Sequence, residues 1–378
     1  MSKPIRILHI IDSLKLGGAE MLLFELLSRL DSYGFEVSVC YCEPGPLIDD
    51  FKRKNISVSH LPWITRIDPI LLMRMFNSIR KERPQIVHTH LFKSDFHGRF
   101  AARMAGVPIV VSTLHNSNAW AKNPMLGLTY GLTTKLADKI IAVADEVRDY
   151  AAQYLRIPME QMITIPNAVS IERFEGKFEE GLAVRKEYNI SPTAPLLGII
   201  GRLEPQKDHE NFLRAASQIY KNNPNARFLI IGDGYLKDHL IELATALGMQ
   251  DVVTFCGLRK DIPSVMAALD IVVLSSRYEG LPVVLLEAMA ASRPIVSTAV
   301  SGIPGVVEDG LTGILVEPSN SAALADACLH LMHDPGLRKK MGQNGYERVK
   351  AHYSMDSMTE KTVALYKELI SLQRILHG

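Results

Sequence analysis

Two cations and two carboxylates stand at strand-to-helix transitions in the second half of this 378-residue chain. Arg202 and Lys207 lie in Gly201-Arg202-Leu203-Glu204-Pro205-Gln206-Lys207-Asp208, at the end of an apolar run over 195–201. A planar guanidinium fork beside a compact ammonium would clamp a diphosphate. The same cations could instead pair with Glu204 and Asp208. Glu279 and Glu287 belong to Ser275-Ser276-Arg277-Tyr278-Glu279-Gly280-Leu281-Pro282 and the Glu287-Ala288-Met289-Ala290 that follows. Carboxylates accept and hydroxyls donate, so such a pair suits a polyol. Glu279, in the loop, could take sugar hydroxyls; Glu287, about one and a half turns into a helix, could reach a ribose. Gly280 permits a tight turn, and amides at the helix start favour an anion. Taken alone, both glutamates could equally be solvated residues near a helix start. Gly232-Asp233-Gly234, and Cys256-Gly257-Leu258-Arg259-Lys260-Asp261-Ile262, also follow apolar runs and are weaker signals.

The first half offers fewer ionised groups. Leu16-Gly17-Gly18-Ala19-Glu20 opens a helix, and its glycines allow close backbone approach to phosphate or sugar. It is not G-x-G-x-x-G, so it does not argue for a dinucleotide. His115 follows the run 109–113. His88 and His90 alternate on a strand and share one face, a spacing that could suit a metal, but no third ligand is apparent nearby except Asp95 or His97. No Asp-x-Asp occurs, and Arg202, Lys207 and helix N-termini can neutralise a diphosphate without an ion. No obligatory metal and no cofactor are expected.

These residues need a scaffold that presents strand ends. Apolar runs at 5–11, 36–42, 86–90, 109–113, 139–143 and 162–165 alternate with helical patterns such as 20–30, 69–83 and 96–105. The same alternation restarts at 195–201, 227–232, 252–256, 271–274, 294–297 and 313–316. It predicts an α/β protein of two doubly wound parallel domains, each binding ligands beyond its strands' carboxyl ends. The charged stretch within 167–190 reads as the linker. The domains expected are 1–170, with the helix 355–378 packing back on it, and 185–354. A net charge of +1 gives no field favouring nucleic acid. No apolar run is long enough to span a bilayer, and 7–11 is short for a signal peptide. Cys40, Cys42, Cys256 and Cys328 form no C-x-x-C pair and read as reduced thiols. A cytoplasmic location is expected.

The ordered set Gly201-Arg202…Lys207-Asp208, Gly232-Asp233-Gly234, Gly257…Asp261-Ile262 and Glu279-Gly280-x-Pro282…Glu287-Ala288 resembles the retaining family 4 glycosyltransferases, glycosyl transferases group 1, over nearly the whole chain. That resemblance implies the GT-B fold, two Rossmann-like domains facing a central cleft, with an acceptor role for 1–170 and a donor role for 185–354. It implies that Arg202 and Lys207 hold a donor diphosphate, that Glu287 takes the ribose, and that Glu279 with the amides of Gly280 and Leu281 faces the sugar. Arg259 and Ile262 would lie near the base. Gly17, Gly18 and Gly232 would approach the donor, and His115 would contact a sugar hydroxyl. Val300-Ser301-Gly302-Ile303-Pro304-Gly305 departs from the family's Gly-Gly-x-Pro-Glu loop at Ser301 and Gly305, so neither receives a role.

The implied activity is transfer of a sugar, with retention, from a UDP- or GDP-sugar to a saccharide, lipid-linked saccharide or small molecule. A non-catalytic nucleotide-sugar-binding partner subunit and a nucleotide-sugar epimerase are the alternatives. Between residues 50 and 103 eleven Lys and Arg face four acids (Arg66 and Arg80 among the basic ones), and Ile70, Leu71, Met73, Met75, Phe76 and Ile79 crowd one helix there. Such a helix could lie on an anionic membrane, giving weak peripheral contact at its inner face, or could pack its apolar residues on the sheet.

Overall fold

The structure, a computed structural model, describes residues 4–65, 68–117 and 119–377, the side chains of 119, 376 and 377 excepted. Arg66 of the basic stretch lies outside these residues. Two compact units are built, one from residues 1–167 with 355–378 and one from 168–354.

The first unit carries β1 (Ile5–Ser13), β2 (Phe35–Glu43), β3 (Ser57–His60), β4 (Ile86–His90), β5 (Ile109–Leu114), β6 (Lys139–Ala142) and β7 (Met162–Thr164). They pair in the order β3-β2-β1-β4-β5-β6-β7, every pair parallel. The second unit carries β8 (Leu196–Ile200), β9 (Arg227–Ile231), β10 (Val253–Gly257), β11 (Ile271–Leu274), β12 (Ile295–Thr298) and β13 (Gly313–Val316). Their order is β10-β9-β8-β11-β12-β13, again all parallel.

Central strands are buried on both faces because helices cover them, and most of their residues are apolar. Ile7, Leu8, Ile10 and Ile11 of β1 are all buried, as are Ile271, Val272, Val273 and Leu274 of β11. In each sheet the chain winds outward one way from the first strand and then returns to start the other half. The reversal falls between β1 and β4, and between β8 and β11. A doubly wound sheet opens a crevice for ligands at that switch point.

The charged stretch expected to be a linker is a helix, Phe178–Glu187, fixed within the second unit. Its Arg185 donates to the carbonyls of Ala268 and Ala194 at 2.9 and 2.8 Å and pairs with Asp270 at 2.8 Å. The chain passes between units at residue 167, earlier than the charge pattern suggests, because that charge serves this anchorage. The last helix, Met355–His377, belongs to the first unit, where Tyr366 is fully buried against Phe35 and His88.

Candidate functional site

In the second unit, the loops after β8, β9 and β11 close on one another. Gly232 has φ 140°, and a Cβ there would come within 2.0 Å of the Gly201 carbonyl oxygen. A Cβ on Gly234 would meet the Leu203 carbonyl oxygen at 2.5 Å. Gly-Asp-Gly therefore lets the β9 loop lie against the β8 loop, sealed by the Leu203 amide donating to Asp233 at 2.9 Å. Gly232 shapes the loop that carries Arg202.

Lys207 and Glu279 meet at the switch point. The ammonium lies 2.5 Å from Glu279 Oε1, with only 14% and 4% of the two side chains exposed. Ser276 Oγ donates to the same oxygen at 2.6 Å, and Gln206 Nε2 donates to Oε2 at 3.3 Å. Three donors thus hold one carboxylate, which can accept about four hydrogen bonds; an acceptor position on Oε2 remains. Arg202 is half exposed and sits 3.3 Å from Glu204, whereas Lys207 does not pair with Asp208 but crosses to Glu279.

Neighbouring residues brace this pair. Asp208 adopts a left-handed backbone (φ 48°) and receives Arg277 through Nε and Nη2 at 2.9 and 3.1 Å. Ser275 Oγ donates to the carbonyls of Lys207 and Asp208, both at 2.9 Å. Ser301 replaces a family glycine at a backbone position that still has φ 49°, and its hydroxyl accepts from the Glu279 amide at 3.2 Å. Gly280 accepts from the Gly302 amide at 3.2 Å, and Leu281 is buried beside it. Gln206, Ser276, Asp208 and Arg277 are site residues that sequence reasoning passed over. All four lie inside the quoted motifs, so proximity to Lys207 and Glu279 was the available signal.

Glu287 lies in the helix Val283–Ala290, half-buried, and its carboxylate makes no hydrogen bond among the described residues. Burial pushes its pKa up to about 7, opposed by the positive charge of Arg173. Arg259 is committed elsewhere. It forks onto Asp261 at 2.8 and 2.6 Å and donates to Glu187 at 2.5 Å and to Tyr188 at 2.9 Å. It ties the β10 loop to the helix Phe178–Glu187, and the half-buried Ile262 opens the short helix that follows. The structure draws together Lys207, Glu279, Gly280 and Gly232 with the Arg202 loop, and gives Arg259 no hydrogen bond to that group.

In the first unit, Gly17 precedes the helix Gly18–Leu30, and a Cβ on it would meet Glu20 Oε2 at 2.4 Å. The missing side chain leaves room for Glu20 to fold back and accept from Ser13 Oγ at 2.7 Å. His115, half-buried after β5, contacts a histidine cluster rather than standing alone. His90 Nδ1 lies 3.3 Å from His115 Nε2, and His90 Nε2 lies 3.0 Å from His9 Nδ1. His88 sits between the hydroxyls of Tyr366 and Thr113, at 2.6 and 2.7 Å. A cavity of about 20 Å³, lined by His88, His90, Thr113 and His115 among others, has room for about one water.

The third ring absent from the sequence argument is His9 on β1, paired in register with His88. Neither Asp95 nor His97 takes that place. Asp95 bonds Thr89 and Tyr130, and His97 accepts from the Asp68 amide. His9, His88 and His90 offer nitrogens within 4.8 Å of one another. Most of that donor set is engaged in hydrogen bonds: both His88 nitrogens meet hydroxyls, and His9 Nδ1 and His90 Nε2 meet each other, while His9 Nε2 has no partner. Burial keeps the cluster neutral, lowering His9 to about 3, His115 to about 4, and His88 and His90 well below 6.5.

Two sheets of this order, each with its polar cluster at the switch point, define a two-unit Rossmann-like protein of the GT-B fold. Comparison with known proteins agrees. Residues 16–173 match the model of Glycosyltransferase Family 4, and residues 182–348 match Glycosyl transferases group 1. A UDP-Gal:alpha-D-GlcNAc-diphosphoundecaprenol alpha-1,3-galactosyltransferase of Escherichia coli is 27% identical over 379 residues, 97% of each chain. An alpha-D-kanosaminyltransferase of Streptomyces kanamyceticus is 29% identical, covering 79% of this chain and 81% of that one. The crystal structure of Anabaena HepE in complex with UDP and glucose superposes with a TM-score of 0.85 at 20% identity, covering 96% of this chain and 99% of that chain. The chain belongs to glycosyltransferase family 4, and is a retaining, nucleotide-sugar-dependent glycosyltransferase.

Proposed function

We propose that this enzyme transfers a sugar from a UDP-sugar to a lipid-linked saccharide, with Lys207 and Arg202 on the donor diphosphate and Glu279 on the sugar. The observation that carries the donor assignment is the Lys207–Glu279 pair at the β8/β11 switch point. An ammonium held in place by a carboxylate meets developing phosphate charge without reorganising. The free acceptor position on Glu279 Oε2 suits a sugar hydroxyl. Glu287, unpaired and in the helix that follows, takes ribose hydroxyls in either protonation state. His115 contacts the sugar, Gly17 and Gly18 let the first helix approach the donor, and the base lies toward Ile262. Leaving-group charge is met by Lys207, Arg202 and the amides at Gly280 and Leu281, so no metal is required.

The acceptor assignment rests on a surface of the first unit. The helices Pro69–Glu82 and Pro124–Thr134 both pack on Phe92–Met104. Leu71, Met75 and Ile79 turn inward, yet Ile70, Met73, Phe100, Met104, Leu128 and Leu132 are exposed across the three helices. Exposed apolar side chains beside Arg80 and Lys81 fit an anionic bilayer carrying a lipid-linked acceptor. No helix among the described residues is long and apolar enough to cross a membrane, so contact would be peripheral. The Escherichia coli relative is named for an acceptor of this kind.

A transfer screen, run in excess chelator with UDP-sugars against lipid-diphosphate-linked and free saccharides, tests both halves. Turnover is expected with the lipid-linked acceptors. Transfer to free saccharides alone overturns the acceptor, and activity that appears only after magnesium or manganese is added overturns the metal-free assignment. Co-sedimentation should show salt-sensitive binding to anionic vesicles and not to neutral ones; equal, negligible binding to both removes the membrane contact.

A further inference from the structure

His115, His90 and His9 form an unbranched chain of three imidazoles. The His9–His90 rings are nearly coplanar, 17° apart with centroids at 5.3 Å, as an in-plane N–H···N bond requires. Three neutral rings bring three protons, one each, and the two contacts consume two of them. Only two arrangements keep both contacts. Either each ring is protonated on Nδ1, His9 donating to His90 and His90 to His115, or each is protonated on Nε2 and the direction is reversed. A mixed set leaves one contact with two protons or with none.

The ends of the chain distinguish these states. His9 Nε2 is buried with no partner. His115 Nδ1 makes no hydrogen bond among the described residues either, but His115 is only half-buried, unlike the fully buried His9. The Nε2 arrangement would strand an N–H at the closed end, where nothing accepts it. In the Nδ1 arrangement only a bare lone pair is stranded, and the spare proton moves to the open end. Orphaned buried N–H groups are rarer than under-satisfied acceptors. His88 does not disturb the choice, since both its partners are hydroxyls that can donate or accept. Burial keeps the rings neutral at physiological pH, as the count requires.

We infer that the closed end of this chain at His9 fixes the tautomer of His115, so that His115 presents Nδ1–H, a hydrogen-bond donor, to an oxygen of the transferred sugar. His9 and His90 are positioning residues, acting through His115. The sugar contact rests on the function proposed above; the tautomer does not. A donor at this point selects a sugar oxygen able to accept, and leaves that oxygen's own proton free to bond elsewhere.

Long-range nitrogen–proton spectra of the full-length enzyme with labelled imidazoles, assigned by single histidine substitutions, read the tautomers directly. Nδ1 should be protonated and Nε2 bare in all three rings. A wild-type spectrum with the protons on Nε2 overturns the proposal and needs no variant to fold. His9→Leu moves the stranded lone pair to His90 Nε2 and should leave the His115 proton on Nδ1. His9→Asp places an acceptor-only group beside His90 Nε2 and should reverse both protons. It should lower kcat roughly 10-fold, about one hydrogen bond, with little change in KM for the nucleotide sugar. Reversed protons with unchanged kcat leave the tautomer standing and overturn the assignment of His115 to the sugar.

Discussion

The two units use one topology to solve opposite electrostatic problems. In the second, the switch point is ionic: Lys207 against Glu279, Arg277 against Asp208, and Arg202 beside Glu204. In the first, the polar groups at the same topological place are His9, His88, His90 and His115, held neutral by burial. Fixed charge is useful where charge develops on a leaving diphosphate. Neutral groups that both donate and accept suit hydroxyls, for which a buried charge would cost desolvation without a counter-charge to offset it. Strand order alone therefore says where a ligand can bind, and the ionisation of the side chains says what kind.

The sharpest way to break this contrast is to remove the charge. Lys207→Ala should lower turnover by about 10²–10³, a loss of roughly 3–4 kcal/mol of charge stabilisation. It should also lower stability, because Glu279 is 3% exposed and would lose its ammonium partner. Combining Lys207→Ala with Glu279→Gln should restore stability without restoring turnover. Thermal unfolding and initial rates of the two variants separate the roles. Wild-type-like turnover by folded Lys207→Ala would take Lys207 out of the donor site.

Acid should sharpen the contrast from the other side. His9, His88 and His90 stay neutral when folded but protonate near 6.5 when unfolded, so the unfolded state binds the extra protons as pH falls. Their contribution to stability is complete above pH 6.5 and is lost progressively below it. Each costs up to about 1.4 kcal/mol per pH unit. Asp12, raised to about 6 by burial, slopes the opposite way between its ordinary value and 6 and offsets part of this. The second unit has His209 as its buried histidine, lowered to about 4. Hydrogen exchange followed segment by segment in the intact protein, between pH 7 and 5, should show protection lost first in β1, β4 and β5. Equal loss in β8 and β11 would mean the histidine cluster does not govern acid sensitivity.

How far the site could be read in advance follows the same division. Ions announce themselves: Arg202, Lys207, Glu279 and Glu287 occur in short motifs after apolar runs, although the pairing of Lys207 with Glu279, 72 residues on, was not legible. Every strand of the second unit was visible as an apolar run, since parallel strands covered on both faces are mostly apolar. The short edge strand β3, Ser-Val-Ser-His, was not, because an edge needs little apolar surface. His9 was invisible for another reason. It sits inside the apolar run of β1, 81 residues from its partner His90, and only the β1–β4 register joins them. The partners of Arg259 were hidden too: Asp261 stands two residues on, but Glu187 is 72 residues away.

The smallest expected effect concerns Glu287, a half-buried carboxylate that makes no hydrogen bond among the described residues. Its pKa is raised to about 7 from the 4.5 of a free glutamate, so the folded state binds more protons between those values. Stability from this group is present below pH 4.5 and lost as pH rises through 7, opposite in sign to the histidines. Glu287→Gln keeps the shape and removes the titration. The variant should match the wild type in Tm near pH 5 and exceed it at pH 8 by about 2–4 °C, the shift expected for about 1 kcal/mol in a unit of this size. Its affinity for UDP should change little in acid, where the wild-type carboxyl is already neutral, and fall at pH 8, where an ionised acceptor binds ribose hydroxyls better than an amide does. Scanning calorimetry and titration with UDP at the two pH values measure both. A Tm difference independent of pH would show that Glu287 is solvated and ionised throughout. UDP affinity untouched at pH 8 would remove Glu287 from the ribose.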